Sequence, residues 1–220
     1  MPNSLKKYTP AEALQVLKEG NFRFLNNMRY NRDLLERVNE TKDGQFPFAA
    51  VLSCMDSRAP AEIIFDQGLG DIFSIRIAGN IISPGILGSL EYATAVAGSK
   101  LIVVLGHTSC GAIKGACDNV ELGNLTSLLA HIRPAVELER TVTHDRTSSN
   151  PEFVQKVTEL NVRHSVESIL AESKVIRDLV ASGEVALVSA IYDVATGRVR
   201  FSDDEEAPAG LAEATMATTV

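Results

Sequence analysis

The 220-residue sequence contains no tryptophan, only three cysteines and 5% aromatic residues. Three cysteines, Cys54, Cys110 and Cys117, are too few and of the wrong parity for a disulfide-built scaffold, and they fit a reducing compartment. Positive charge is the scarcer sign, with 21 Lys plus Arg against 28 Asp plus Glu and a formal charge of −7, so a cationic nucleic-acid-binding surface is not expected. No apolar run reaches membrane-spanning length: the nearest, 83–104, is broken by Pro84, Gly85, Glu91 and Lys100. The N-terminus passes from a short basic stretch into an amphipathic pattern without an apolar signal core, and the expected location is cytoplasmic.

What remains is ordinary for a globular protein: 45% hydrophobic and 22% charged residues, enough for one sizeable core. A single domain over 1–220 is expected, with an N-terminal helical arm at about 9–30 and a disordered acidic tail at about 203–220, since Asp203, Asp204, Glu205, Glu206 and Glu213 face no basic residue there. Thr9-Pro10-Ala11-Glu12 has the form of a capping box with proline in the first turn, and Leu14, Leu17, Phe22 and Leu25 follow at near-helical spacing. Apolar runs at 48–53, 71–77, 100–106 and 185–192 read as strands, the third with the unbroken apolar character of a parallel strand covered on both faces. Helices are expected at 85–97, 125–140, 151–171 and 175–181, the longest turning Phe153, Val157, Leu160, His164, Val166 and Leu170 inward. A strand, crossover helix and strand in this order define an α/β class with a mainly parallel central sheet flanked by helices.

Two segments sit where predicted strands end: Cys54-Met55-Asp56-Ser57-Arg58 and His107-Thr108-Ser109-Cys110-Gly111. Ligands of open α/β sheets collect outside the carboxyl ends of the strands, so both segments point to one place. A lone cysteine at a strand end is more often core than ligand. Cys54, His107 and Cys110 together supply two thiolates and an imidazole, a set suited to tetrahedral Zn²⁺ with a fourth position free, provided the first and third strands are neighbours. Asp56 and Arg58 share the side-chain parity of Cys54, which sets a carboxylate beside the pocket with an arginine to hold it. Cys117 lacks such neighbours and reads as packing, while Gly79, Gly106 and Gly111 are read as permitting close or strained backbone.

At these residues the chain resembles the β-class carbonic anhydrases. The resemblance rests on the two segments above, on Arg76-Ile77-Ala78-Gly79-Asn80 and on Gly88-Ser89-Leu90-Glu91-Tyr92-Ala93, and it extends less distinctively over about 10–200. It implies that Cys54, His107 and Cys110 bind one zinc per subunit, that Asp56 and Arg58 form the catalytic dyad, and that zinc-bound hydroxide attacks carbon dioxide to give bicarbonate and a proton. Gln45, nine residues before Cys54, matches the glutamine that reaches the substrate from the partner subunit in the plant-like pocket type, and Phe73, Ala78 and Tyr92 match its apolar pocket positions. Val51 and Ser53 stand where the allosteric type carries Trp and Gly, so a non-allosteric pocket is implied. A homodimer sharing its pockets, with pairing into a homotetramer open, is implied as well, without membrane or nucleic-acid partners. Two other readings are a hydrolase of carbonyl sulfide on the same scaffold and a catalytically silent structural zinc protein. His131, His144 and His164 carry no assignment as a proton shuttle.

Overall fold

The computed structural model describes residues 7–202, so the acidic tail expected at about 203–220 lies outside the described residues. Five strands, β1 (Ala49–Ser53), β2 (Ile72–Arg76), β3 (Leu101–His107), β4 (Ala186–Tyr192) and β5 (Val199–Phe201), form one sheet in the order β2-β1-β3-β4-β5. The first four are parallel, and β5 returns antiparallel on β4 through a turn at 193–197. The chain first adds β2 on one side of β1 and then crosses to add β3 on the other. Sheets of this order bind ligands at that switch point, outside the strands' carboxyl ends.

Side-chain alternation divides the core into two faces. Ala49, Val51, Leu101, Val103 and Leu105 pack with Leu17 of α1 (Pro10–Leu25) and Ile64 of α3 (Ala61–Ile64). Ala50, Leu52, Ile102 and Val104 meet α4 (Pro84–Glu91), α8 (Pro151–Glu172) and α9 (Lys174–Ala181). A third cluster lies around Cys54 and Cys110, built from α5 (Gly111–Cys117), α6 (Gly123–Ala130), α7 (Arg133–Leu138) and the start of α8. The remaining helix, α2 (Leu34–Thr41), follows the arm expected at about 9–30 and has no buried residue.

Several elements differ instructively from the reading of the sequence. The Thr9–Glu12 capping box forms, but α1 turns Ala13, Leu17, Gly20 and Asn21 inward and leaves Phe22 55% exposed. A Cβ on Gly20 would lie 1.8 Å from the Phe65 carbonyl oxygen, so the absent side chain decides which face docks. Asn21 is buried because its amide donates to the carbonyls of Ile64 and Gly197 and its oxygen accepts from the Val199 amide. The helix expected over 125–140 is two helices, since Pro134 lacks the amide needed to carry the α6 spiral onward and instead sits in the first turn of α7. In α8 the inward stripe is Phe153, Val154, Val157, Thr158, Asn161, Val162, Ser165 and Ile169, whereas Leu160, His164, Val166 and Leu170 are half-buried. The crossover helix ends in one wider turn, Tyr92–Val96.

The arm is fastened by a buried ion cluster. Asp66, 3% exposed, accepts from Arg23 Nε and Arg32 Nη1, both at 2.6 Å, and the two guanidinium groups lie 4.3 and 5.4 Å from the centroid of the Tyr30 ring. Burial pushes the Asp66 carboxyl up, but the hydrogen bonds from Arg32 and Arg23 outweigh it and hold it below its ordinary value. Removing one member of such a cluster strands buried charge, so Asp66→Asn is expected to cost about 3 kcal/mol in urea unfolding at pH 7. A depressed carboxyl stabilises fully above its unfolded value of about 4 and loses that contribution as pH falls through the folded value, so the gap between wild type and variant narrows in acid.

Candidate metal centre

β1 ends at Ser53, opposite Leu105 of the neighbouring β3, so Cys54 emerges beside the end of β3, where His107 is the last strand residue. Cys110 then caps the start of α5. The three ligand atoms of Cys54, His107 and Cys110 lie within 4.8 Å of one another and all three residues are buried. Between the sulfurs the distance is 3.8 Å.

The chemistry of this donor set fits a zinc ion. His107 Nδ1 lies 2.9 Å from the Thr108 carbonyl oxygen, which can only accept, so this nitrogen carries the proton and Nε2 keeps its lone pair. Among the described residues that buried Nε2 has no hydrogen-bond partner, as a metal-facing nitrogen requires. The adjacent Cys110 thiol, more than any other group, draws the Cys54 thiol down to about 4 against the opposing effect of burial. Cys110 moves the opposite way, raised by Cys54 and by burial. The pair therefore gives up a first proton readily and a second only to a cation. Cys117 is buried within the same cluster, and burial pushes its thiol up to about 11, in keeping with packing.

Asp56 and Arg58 meet in a forked ion pair, Nε to Oδ1 at 2.9 Å and Nη2 to Oδ2 at 2.7 Å. They meet through a turn rather than through extended parity: the Arg58 amide donates to Asp56 Oδ1 at 2.9 Å and the Ala59 amide to the Asp56 carbonyl at 3.0 Å. Asp56 Oδ2 lies 3.9 Å from His107 Nε2, which sets the carboxylate against the ligand cluster. The Arg58 fork holds that carboxyl well below the usual carboxylate range.

A second arginine, unassigned in the sequence reading, builds the floor. Arg76, the last residue of β2, donates to the Cys54 carbonyl from Nε and Nη2 at 3.1 Å each and to the Asp56 carbonyl at 2.5 Å. The segment 76–80 carries part of the resemblance, but the residue's role shows only in its position, an arginine ending the strand beside the cysteine-bearing one. Next to it Gly79, with φ 68°, donates its amide to Cys54 Sγ at 3.4 Å. A Cβ there would approach Ile132 Cδ1 to 2.6 Å, so both conformation and space demand glycine. At Gly106 a Cβ would come within 2.4 Å of Val162, whereas Gly111 has open space and an ordinary φ, so the close-backbone reading does not hold at that position.

The apolar positions are dispersed. Ala78 adjoins Gly79 at the carboxyl end of β2, beside the ligand cluster. Phe73 and Tyr92 pack edge-on at 6.2 Å between centroids and line a separate cavity of about 360 Å³ with Ser74, Ile75, Gly85, Gly88 and Ser89. Gln45 is exposed and precedes β1, a strand length of about 16 Å from the end where Cys54 lies.

An open, mainly parallel α/β sheet carrying a buried two-sulfur, one-imidazole site fit for zinc at its switch point defines a metal-binding protein of the doubly wound class. Residues 49–199 match the family profile described as carbonic anhydrase. The chain is 38% identical over 209 residues to carbonic anhydrase 2 of Mycobacterium tuberculosis, spanning 92% of this chain and 96% of that protein. It is 37% identical to the carbonic anhydrase of Mycolicibacterium smegmatis over 91% and 95% of the two chains. Among solved structures it superposes on the β-carbonic anhydrase CafA of Aspergillus fumigatus with a TM-score of 0.65 at 28% identity, covering 88% and 90% of the chains. The chain belongs to the β-carbonic anhydrase family.

If Arg76 holds the Cys54–Asp56 segment as the geometry indicates, Arg76→Ala should weaken zinc affinity by about 10- to 100-fold in competition with a chromophoric chelator, while the folded fraction stays near wild type.

Proposed function

We propose that the chain catalyses the reversible hydration of carbon dioxide to bicarbonate and a proton, with a plant-like, non-allosteric pocket. The observation that carries the reading is the Asp56 carboxylate, fixed by Arg58 and set 3.9 Å from the metal-facing nitrogen of His107. Zinc held by Cys54, His107 and Cys110 supplies Lewis acidity that makes water a nucleophile near neutral pH. The rest falls to protein groups. Asp56, ionised throughout the neutral range, only accepts hydrogen bonds, so it fixes the orientation of the attacking water's proton and aims a lone pair at the substrate carbon. Arg58 denies that carboxylate other orientations. Arg76 and the Gly79 amide keep Cys54 in place.

The substrate pocket is completed by a partner subunit. Gln45, Phe73 and Tyr92 lie too far along the sheet to reach the centre of their own chain, and a twofold partner supplies them to the opposite centre, with Gln45 donating to a substrate oxygen and Ala78 lining the wall from within. The apolar surface of the arm and of α2 supports such a partner, with Phe22, Met28, Tyr30, Leu34, Leu35 and Val38 all at least half exposed. A homodimer is therefore the proposed unit, with a tetramer as a further step; one of two Sordaria macrospora β-carbonic anhydrases described as tetrameric is 25% identical to this chain with a TM-score of 0.65. No helix among the described residues is long and apolar enough to cross a membrane. Three buried free thiols suit a reducing compartment, which supports a cytoplasmic location.

Stopped-flow carbon dioxide hydration on zinc-quantified protein tests the reading. Hydration should rise from about pH 6.5 to 9 with ionisation of the attacking water, and Asp56, already ionised across that window, should add no step of its own. Zinc-loaded protein silent toward carbon dioxide at the alkaline end would sink the proposal, and turnover of carbonyl sulfide by the same sample would reassign the chain to that chemistry. Asp56→Asn should retain zinc yet lose about 100-fold or more in kcat. Gln45→Leu should lower kcat/KM by about tenfold, the worth of one hydrogen bond of ~1.4 kcal/mol.

A further inference from the structure

The long helix α8 buries three polar side chains on its inward stripe, Thr158, Asn161 and Ser165. Such groups cost stability unless hydrogen-bonded, and their partners differ in a telling way. Thr158 donates to the Val154 carbonyl of its own helix. Asn161, 1% exposed, instead reaches across to donate to the Gly79 carbonyl at 2.8 Å, and Ser165, 2% exposed, donates to the next carbonyl, that of Asn80, at 3.1 Å. Gly79 and Asn80 both have positive φ, 68° and 44°, so this turn is held in a conformation that leaves successive carbonyls without regular partners. The amide of Gly79 is also the donor to Cys54 Sγ.

We propose that Asn161, assisted by Ser165, is a positioning residue for the metal centre: by anchoring the Gly79–Asn80 turn from α8 it aims the Gly79 amide at the Cys54 sulfur and so tunes that ligand's electron donation. The inference rests on the reading of Cys54 as a metal ligand. An amide donating to a thiolate withdraws electron density from it, and a turn freed from α8 rotates that amide away. The ligand then becomes more electron-rich and less firmly placed.

The test uses full-length protein with Asn161→Ala, Ser165→Ala and, as a control for lost buried polarity on the same helix, Thr158→Val. Cobalt-substituted samples report the thiolate-to-metal charge-transfer band, and zinc samples report the release rate into excess chelator. Asn161→Ala should move the band to lower energy and speed zinc release by about tenfold, Ser165→Ala should do the same to a smaller degree, and Thr158→Val should do neither. Should Asn161→Ala fail to fold, Ser165→Ala decides alone. Folded variants with the wild-type band and release rate overturn the proposal. Wild-type protein that binds cobalt without any thiolate band overturns the ligand reading and this inference together.

Discussion

The lateral pairing of β1 with β3 is the constraint on which the remainder depends. Residues 49–53 lie against 101–105 in strict parallel register, and the two strands are buried along their whole length. Only this pairing brings Cys54 to the end of β3, and only the reversal of strand order there opens a crevice into which both strand ends discharge their side chains. A one-residue slip of β1 would turn its own side chains over, moving Val51 from the α1 side to the α8 side while Val103 stayed, so the packing that fixes the core register also specifies the metal geometry.

Around that crevice the protein spends its polar groups on holding backbone rather than on touching substrate. Arg76 ties down two carbonyls, Thr108 fixes the His107 tautomer through its own carbonyl, and Thr108 in turn is held by Asp193 and by the Val194 amide at the β4–β5 turn. Two thiols 3.8 Å apart in a buried pocket resist sharing a double negative charge, so the donor set is biased toward a divalent cation. The groups left for chemistry are few: one carboxylate, held to a single ionisation state and a single orientation by its arginine.

Much of this was readable in the linear sequence, for reasons that differ by residue. Cys54, His107 and Cys110 were legible because ligand chemistry is restrictive and because all three followed apolar runs of strand length. Asp56 and Arg58 were paired correctly from a wrong premise, the segment being a turn and not an extended strand. The inward face of α8 differs from its apolar spacing, and that of α1 is not set by it, because spacing alone cannot see a buried asparagine: Asn21 and Asn161 are interior through backbone carbonyls contributed by distant segments. Arg76 stands in a segment that carries the resemblance, yet its role is not legible there, since it consists of contacts to a neighbouring strand's end. β5 is three residues long, too short for alternation to register.

The separation of the two sulfur-bearing residues has a consequence for how the chain comes apart. Cys54 and Cys110 are 56 positions distant along the backbone, and a metal joining them closes a loop that contains β2, α4 and β3. Such a metal is bound by the folded chain and let go by the unfolded one, so its binding free energy adds to the stability of the fold rather than restraining the denatured ensemble. The zinc site thus doubles as a removable crosslink, and a cell short of the metal would face a protein that is both inactive and more readily cleared by its proteases.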